Sequence, residues 1–519
     1  MNFKKIKKSH QLLILGVVFV LLFVGLVIYF WPRNDSQKDS TNKNVLKISL
    51  LNDITGIDVG DKSHTQIANG DRLFYAIHQT LLISDENSNL HPQLATNWKH
   101  DATNKKVIDF NLRDDVFFHN GKKFGAEDVK FSFERAKQKG HDEYENIEKI
   151  EVLDNYKLRI TLKSLPVYFW EPLSRLRILS KETLQEVQNQ GEEALQKALR
   201  VGAGPYKLVN WVPQEKIELE LNEAYYDKEV IKDSCKKIVF EIIKDIDTAL
   251  LKLKEGSLDA IFDYHVNKLE NAKQEKGIKI VANEACKCSY LFLNCTKLDL
   301  EKRQLVARTI NIPKIIQDLN LEVKELKSYV PEGSHGHNPS LSYVYQENNF
   351  QDVKNKISGL SDKRLFLGFS QKESPEVMKK IVEQLTSAGF EVATESPEFT
   401  GFLKMIQESK YDMAFLSDMH EMPYGHKSMF DIVVPGGQDS DYTHIQGDSE
   451  LENLLKEVQT EENKEKYDNK VQRLQQIFHE KTYLIPFYQQ KIYFLTNEKV
   501  SQLTCDKFNR TNLTQARKN

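Results

Sequence analysis

The sequence predicts a mixed α/β fold in two halves of comparable size, set behind an N-terminal membrane segment. Three observations carry this. Strand-like patterns of period two alternate with helix-like patterns along the first half, and the same mixture returns in the second. No repeat of fixed period runs through either half, which excludes a solenoid or propeller. Finally, residues 12–31 form a nearly unbroken apolar run, from Leu12 to Trp31. Composition agrees with a large globular body: 40% of residues are hydrophobic, and 14 Pro and 23 Gly are too few for a low-complexity chain. With 72 Lys+Arg against 75 Asp+Glu the net charge is −3, so no nucleic-acid partner is expected.

At 1.5 Å per helical residue the apolar run spans roughly 30 Å, the hydrocarbon thickness of a bilayer. Lys4, Lys5, Lys7 and Lys8 precede it without an acidic neighbour, which places residues 1–11 in the cytoplasm and the rest of the chain outside. The run ends Val27-Ile28-Tyr29-Phe30-Trp31-Pro32, without the small residues of a cleavage site, so an uncleaved anchor is expected over residues 12–31. Residues 32–44 are polar and read as a linker. The chain beyond it is long enough for roughly three domains. Five cysteines, Cys235, Cys286, Cys288, Cys295 and Cys505, are too few for a disulfide scaffold.

Past the linker, Val45–Leu51 reads as a strand and Arg72–Ile83 as a helix. Lys105–Leu112 and Lys157–Leu162 read as strands, with a helix over Ala126–Lys137 between them. Tyr206–Trp211 and Lys216–Leu221 make a hairpin around Pro213-Gln214. Then come a strand at Lys237–Ile243, a helix at Asp247–Lys254 and a strand at Leu258–Phe262. The second half reads as strand Tyr290–Leu293, helix Arg303–Leu319, strand Leu365–Phe369, helix Glu376–Ala388, and strands Phe390–Thr394 and Met413–Leu416. A long amphipathic stretch over Glu450–Glu480 follows. Ligands of two-lobed proteins commonly sit between the lobes.

Signatures of catalysis are missing. There is no Gly-x-Ser-x-Gly elbow, His-Glu-x-x-His pair, phosphate-cradling Gly-x-x-x-x-Gly-Lys loop or dinucleotide Gly-x-Gly-x-x-Gly. His335, His337, His420 and His426 are the local histidine groupings. Cys286-Lys287-Cys288 has one residue between its thiols, where a zinc clip wants two to four. Asp418, Glu421 and Asp431 are acidic neighbours in a chain rich in acids. No enzyme activity, metal or cofactor is therefore expected.

Several phrases, in order, carry a family resemblance. Leu90-His91-Pro92-Gln93-Leu94-Ala95-Thr96-Asn97-Trp98 is followed by the run Phe110–Val129, with Phe110, Leu112, Arg113, Val116, Phe118, His119, Gly121, Ala126, Asp128 and Val129 at the family's positions. Then come Ser132-Phe133-Glu134-Arg135, Gly202-Ala203-Gly204-Pro205-Tyr206, Trp211, Asn222 and Tyr225-Tyr226. Phe292-Leu293-Asn294, Pro331-Glu332-Gly333, Asn338-Pro339 and Ile485-Pro486-Phe487-Tyr488 complete the series. Together they resemble the family 5 extracellular solute-binding proteins of ABC transporters, the oligopeptide- and dipeptide-binding group.

The resemblance implies a bilobal periplasmic-binding-protein-like fold of the large, three-subdomain type. Lobe 1 would comprise residues 45–66, 165–280 and 490–519, residues 67–164 a subdomain attached to it, and residues 281–489 lobe 2. It further implies a monomer that captures oligopeptides or dipeptides between its lobes and delivers them to membrane permease subunits, from the outer side of the cytoplasmic membrane. In peptide-binding members, a strand ending in Trp-x-x-Asp-Tyr carries an aspartate that pairs with the ligand's ammonium. Tyr411–Met419 aligns there, with Asp418 at the aspartate. Backbone groups of Leu416 and Ser417 would then pair with an extended peptide. Met419, Met422 and Tyr424 would furnish pocket walls. Two rivals remain: the same fold holding a metal chelate or haem, motivated by the histidines and by Cys286 and Cys288, and a membrane-anchored hydrolase.

Overall fold

The computed structural model describes residues 44–60, 68–85, 87–265, 268–341, 350–419, 423–427, 429 and 440–519. The chain divides into two compact units, Met1–Val45 and Leu46–Asn519. The expected anchor at residues 12–31 lies outside the described residues. Among the described residues no helix is long and apolar enough to cross a membrane.

Two sheets organise the larger unit. In chain order their strands are β1 (Val45–Leu50), β2 (Ala95–His100), β3 (Val107–Leu112), β4 (Ile147–Asp154), β5 (Lys157–Leu162), β6 (Tyr206–Val212), β7 (Lys216–Leu221) and β8 (Lys237–Ile242). They continue as β9 (Ala260–Ile261), β10 (Ile278–Leu293), β11 (Val323–Glu325), β12 (Arg364–Phe369), β13 (Glu391–Glu395), β14 (Met413–Met419) and β15 (Leu484–Asn497). The large sheet runs β13-β12-β14-β10-β15-β9-β1-β8-β7-β6, with β11 also paired to β15; the small one runs β2-β3-β5-β4.

Two long strands join the halves of the large sheet. β10 has 16 residues and β15 has 14, and they pair antiparallel from Ile278↔Asn497 to Phe292↔Leu484. The register slips between Glu284 and Lys287 and again between Ser289 and Tyr290. Such bulges bend and twist a paired ribbon locally. On one side of them β9 and β1 continue the sheet, on the other β14 and β12.

Separate cores flank this ribbon. Leu46, Ile48, Tyr206, Ile217, Ile238 and Phe240 belong to one. Phe110, Ile160, Val129 and Phe133 pack a second, between the small sheet and the helix Ala126–Gln138. Tyr290, Leu416, Val471 and Phe478 belong to a third, and Leu291, Leu367, Ile381 and Phe415 to a fourth. The segment after β5 reaches from the second core to the third. Val167 N–H donates to Glu461 O at 2.9 Å, Leu165 N–H to Glu462 Oε1 at 3.0 Å, and the Tyr168 ring lies 4.4 Å from that of His426.

Several elements differ from the sequence reading. The helix expected over Arg72–Ile83 spans Ala68–Ile77, and Leu82–Ser84 pairs with Leu90–Pro92 instead. The cause is a close approach: a Cβ on Gly202 would lie 2.0 Å from Ile77 O, and one on Gly204 2.4 Å from Ala76 O. Two family glycines thus seal the end of that helix, and Gly204 N–H donates to Ile77 O at 2.8 Å. The helix expected over Arg303–Leu319 is two, Leu300–Thr309 and Ile312–Asp318, because Asn311 caps the second and Pro313 opens it. Likewise Glu450–Glu480 divides into Ser449–Thr460 and Lys464–Glu480, the latter capped by Asn463.

Candidate functional site at the carboxyl ends of the parallel strands

Parallel strands leave their carboxyl ends open, and ligands of open α/β sheets bind outside those ends. Two sets of parallel strands meet here. β1 pairs parallel with β9, and β12 pairs parallel with both β13 and β14. Past β9 come Asp263 and His265; past β12 come Lys372 and Glu373. β14 runs on beyond Phe415, which pairs with Phe369 at the end of β12, to Ser417, Asp418 and Met419. Lys287, at the β10 bulge, pairs with Met419 on one side and Gln490 on the other. These ends sense one another's charge. Asp263 is influenced by Lys287, His265 by both Lys287 and Lys372, and Glu373 by the same two lysines.

The expected site residues fall on two faces of β14. Directly opposed residues share a face, and successive residues alternate. Asp418 opposes Cys288 and Leu416 opposes Tyr290, so both sit on the face of the third core. Leu416 is buried within that core. Asp418 is half-buried and its Oδ1 accepts from Met419 N–H at 2.8 Å. Ser417 opposes Ser289 and Met419 opposes Lys287, on the other face. Met422 and His420 lie outside the described residues. Tyr424 is buried, its ring stacked on His335 at 4.6 Å.

On the Ser417 face a polar network is built around Glu373. The Glu373 carboxylate accepts from Ser417 N–H at 3.2 Å and from Ser417 Oγ at 3.1 Å. The N–H that an added strand would use is therefore already donated to Glu373. Ser417 Oγ lies 2.8 Å from Ser289 Oγ, and Gln490 Nε2 donates to both, at 2.9 and 2.6 Å. Burial pushes the Glu373 carboxyl up; Lys287, the Ser417 contacts and Lys372 only partly offset it. Glu373 precedes the helix Pro375–Ala388, whose N-cap Ser374 accepts from Val377 N–H.

Across from this network, Arg72 fixes Asp263. Its guanidinium donates to both Asp263 oxygens, at 2.6 and 2.8 Å, and to Asn69 and Asn509 at 3.0 and 2.6 Å. It also lies over the Phe262 ring, 4.7 Å from the centroid. Desolvation works to raise the Asp263 carboxyl, but Arg72 overrides it and holds the group below the usual carboxylate range. Asp263 and Asn509 both have positive φ, 53° and 61°, conformations uncommon outside glycine that concentrate at functional sites.

Sequence reading did not single out Lys287, Lys372, Glu373, Asp263 or Gln490. Their setting is long-range: in the sequence β10 is legible only as Tyr290–Leu293, and Lys287 stands there as the single residue between two cysteines. In the structure Cys288 is buried in the third core. Cys235, Cys295 and Cys505 are free thiols. Among the described residues no group of three His, Cys, Asp or Glu is placed to hold a metal. The histidines have other partners. His426 Nδ1 is 2.6 Å from Tyr467 Oη, and burial pulls its pKa down to about 3; His337 Nδ1 is 2.8 Å from Val330 O.

The family phrases prove to be largely architectural. His119 Nε2 and Asn222 Nδ2 each reach Gly204 O at 3.0 Å. Arg135 pairs with Asp58 at 2.5 Å, and Asp128 accepts from the N–H groups of Gly125 and Lys181. Residues 89–439 match the bacterial extracellular solute-binding proteins, family 5, middle region. The oligopeptide-binding protein AppA of Bacillus subtilis (strain 168) is 22% identical over 449 residues, covering 78% of this chain and 80% of AppA. Among solved structures, the binding protein DppA of Helicobacter pylori in complex with the peptide STSA has a TM-score of 0.74 at 21% identity, over 93% of this chain and 100% of that one. NikZ of Campylobacter jejuni in complex with Ni(L-His) has a TM-score of 0.78 at 21% identity, over 92% and 100%. These structures share the α/β periplasmic-binding-protein fold expected from the sequence. With the family match spanning well over half of its length, the chain belongs to the bacterial extracellular solute-binding proteins, family 5.

Proposed function

We propose that this chain is the extracytoplasmic substrate-binding component of an ABC peptide importer. It captures dipeptides or oligopeptides between two lobes and hands them, unaltered, to permease subunits. The observation that carries this reading is the pair of bulged strands, β10 and β15, joining two sets of parallel strands whose carboxyl ends carry charges that influence one another. A hinge of a few residues at Glu284–Lys287 would let the ends part and close on a guest that contacts both. Lobe 1 is taken as residues 45–66, 165–280 and 490–519, the attached subdomain as 67–164, and lobe 2 as 281–489. Relatives named for oligopeptide binding, and a neighbour solved with a bound peptide, support a peptide guest.

Within this reading Asp418 receives the guest's ammonium, while Leu416, Ser417 and Met419 shape the strand end around it. The guest undergoes no covalent chemistry. Residues 12–31 anchor the chain as a single span with residues 1–11 in the cytoplasm, which raises the effective concentration of the lobes near the permease. The decisive experiment is small-angle scattering of the purified chain with and without a pool of short peptides. A smaller radius of gyration with peptide supports the reading. Contraction with a nickel chelate or haem, and none with peptide, replaces it with a metal-complex carrier of the same fold.

A further inference from the structure

Two cations, Lys287 and Lys372, stand at these strand ends. Lys287 and Lys372 form no ion pair among the described residues, although acids surround them. Asp263 is already neutralised by the bidentate Arg72 contact. Glu373 is driven toward its neutral form by burial. His265 is held uncharged by desolvation and by both lysines. Glu398 influences Lys372 from the N-cap of the helix Phe399–Gln407, where its Oε2 accepts from Thr400 N–H at 3.0 Å. The Lys372 ammonium sits 4.1 Å from the centroid of the Phe399 ring, a partner that carries no charge. Desolvation and Lys287 both make its charge harder to hold.

Each ammonium makes the other's charge harder to hold, and a bound anion would offset that cost. The neutral donors beside them, Gln490 Nε2 and the Ser289 and Ser417 hydroxyls, are committed to one another and to Glu373, which leaves the two ammonium groups as the donors for carboxylate oxygens. We infer that Lys287 and Lys372 determine specificity for an acidic peptide, one carboxylate to each lysine, supplied by an Asp or Glu side chain together with the chain terminus. This rests on the peptide-binding reading above. A neutral peptide brings one carboxylate and leaves one lysine unmatched.

The test is competitive native mass spectrometry on the purified full chain, using matched di- to pentapeptides that differ only by Glu for Gln, each as free acid and as C-terminal amide. The Glu peptides should bind at least about tenfold tighter than their Gln partners, a difference of about 1.4 kcal/mol. Lys287→Gln/Lys372→Gln should bring the two within about twofold while weakening both, the Glu peptides more, and Lys287→Arg/Lys372→Arg should keep the preference. Equal binding of Glu and Gln peptides overturns the inference and leaves the peptide reading standing. Loss on amidation with no Glu effect also overturns it, leaving only a terminal-carboxylate site. No binding of any peptide would instead remove the peptide reading itself.

Discussion

Replacing Arg72 by Met is the sharpest probe of how the crevice wall is held. Arg72 is 3% exposed and its partner Asp263 is 36% exposed. Breaking a fully buried pair costs about 3–5 kcal/mol, and the partial exposure of Asp263 cuts that to about 2. Two hydrogen bonds, to Asn69 and Asn509, and the cation–π contact with Phe262 go too, at about 1 kcal/mol each before the site relaxes. Because these terms are coupled, a loss of about 3 kcal/mol is expected at neutral pH. The pH dependence separates this account from simple loss of packing. In the parent chain the Asp263 carboxyl is held low, so its contribution is present above the unfolded value and lost as pH falls through the folded one. In the variant desolvation remains without the guanidinium, so the folded value rises above the unfolded one. Its penalty is then absent at low pH and grows as pH rises. Urea unfolding at pH 7 and pH 4.5 should therefore show a gap between parent and variant that narrows on acidification. Adding Asp263→Asn should recover part of it at pH 7. A gap equal at both pH values, or below about 1 kcal/mol, would show that the Arg72–Asp263 pair does not hold this wall.

Other consequences follow from named contacts. Asp418→Ala should weaken peptides with free N-termini by about 2 kcal/mol and N-acetylated ones little; equal loss for both rejects the assigned role. Gly204→Ala should destabilise by about 3 kcal/mol or more, because its Cβ would meet Ala76 O at 2.4 Å and backbone cannot step aside; an unchanged thermal midpoint would count against the packing described. Tyr168→Ala removes the ring against His426 and Tyr424, and scattering should then report a larger radius of gyration for the peptide-free chain. Removing residues 1–31 should move the protein from the membrane fraction to the soluble one, and continued sedimentation with membranes would argue against the anchor.

Much of the fold is legible because local pattern and tertiary environment agree. Lys157–Leu162 and Lys216–Leu221 alternate cleanly and are strands with those ends. Where they conflict, the sequence misleads. Leu81 and Leu82 continue a helical stripe, yet Gly202 and Gly204 press against the helix end and the chain turns into a short strand. Only four residues of β10 are legible, because Lys279, Asn283 and Lys287 interrupt its apolar pattern and its pairing partner lies some two hundred residues away. The site suffers most from this. Asp418 is reachable through the family phrase, but Asp263, Lys287 and the neighbours Lys372 and Glu373 come from three separate segments. Only folding brings them into one electrostatic neighbourhood.

A peptide held between two sets of strand ends and released unchanged should be recoverable from the protein itself. The direct test is native mass spectrometry of the full chain as isolated from its host, followed by denaturation and sequencing of what it releases. The expected result is excess masses equal to intact short peptides, whose sequences are the same before and after incubation with fresh protein. Recovery of cleaved peptides, or of a metal complex in place of a peptide, would contradict it.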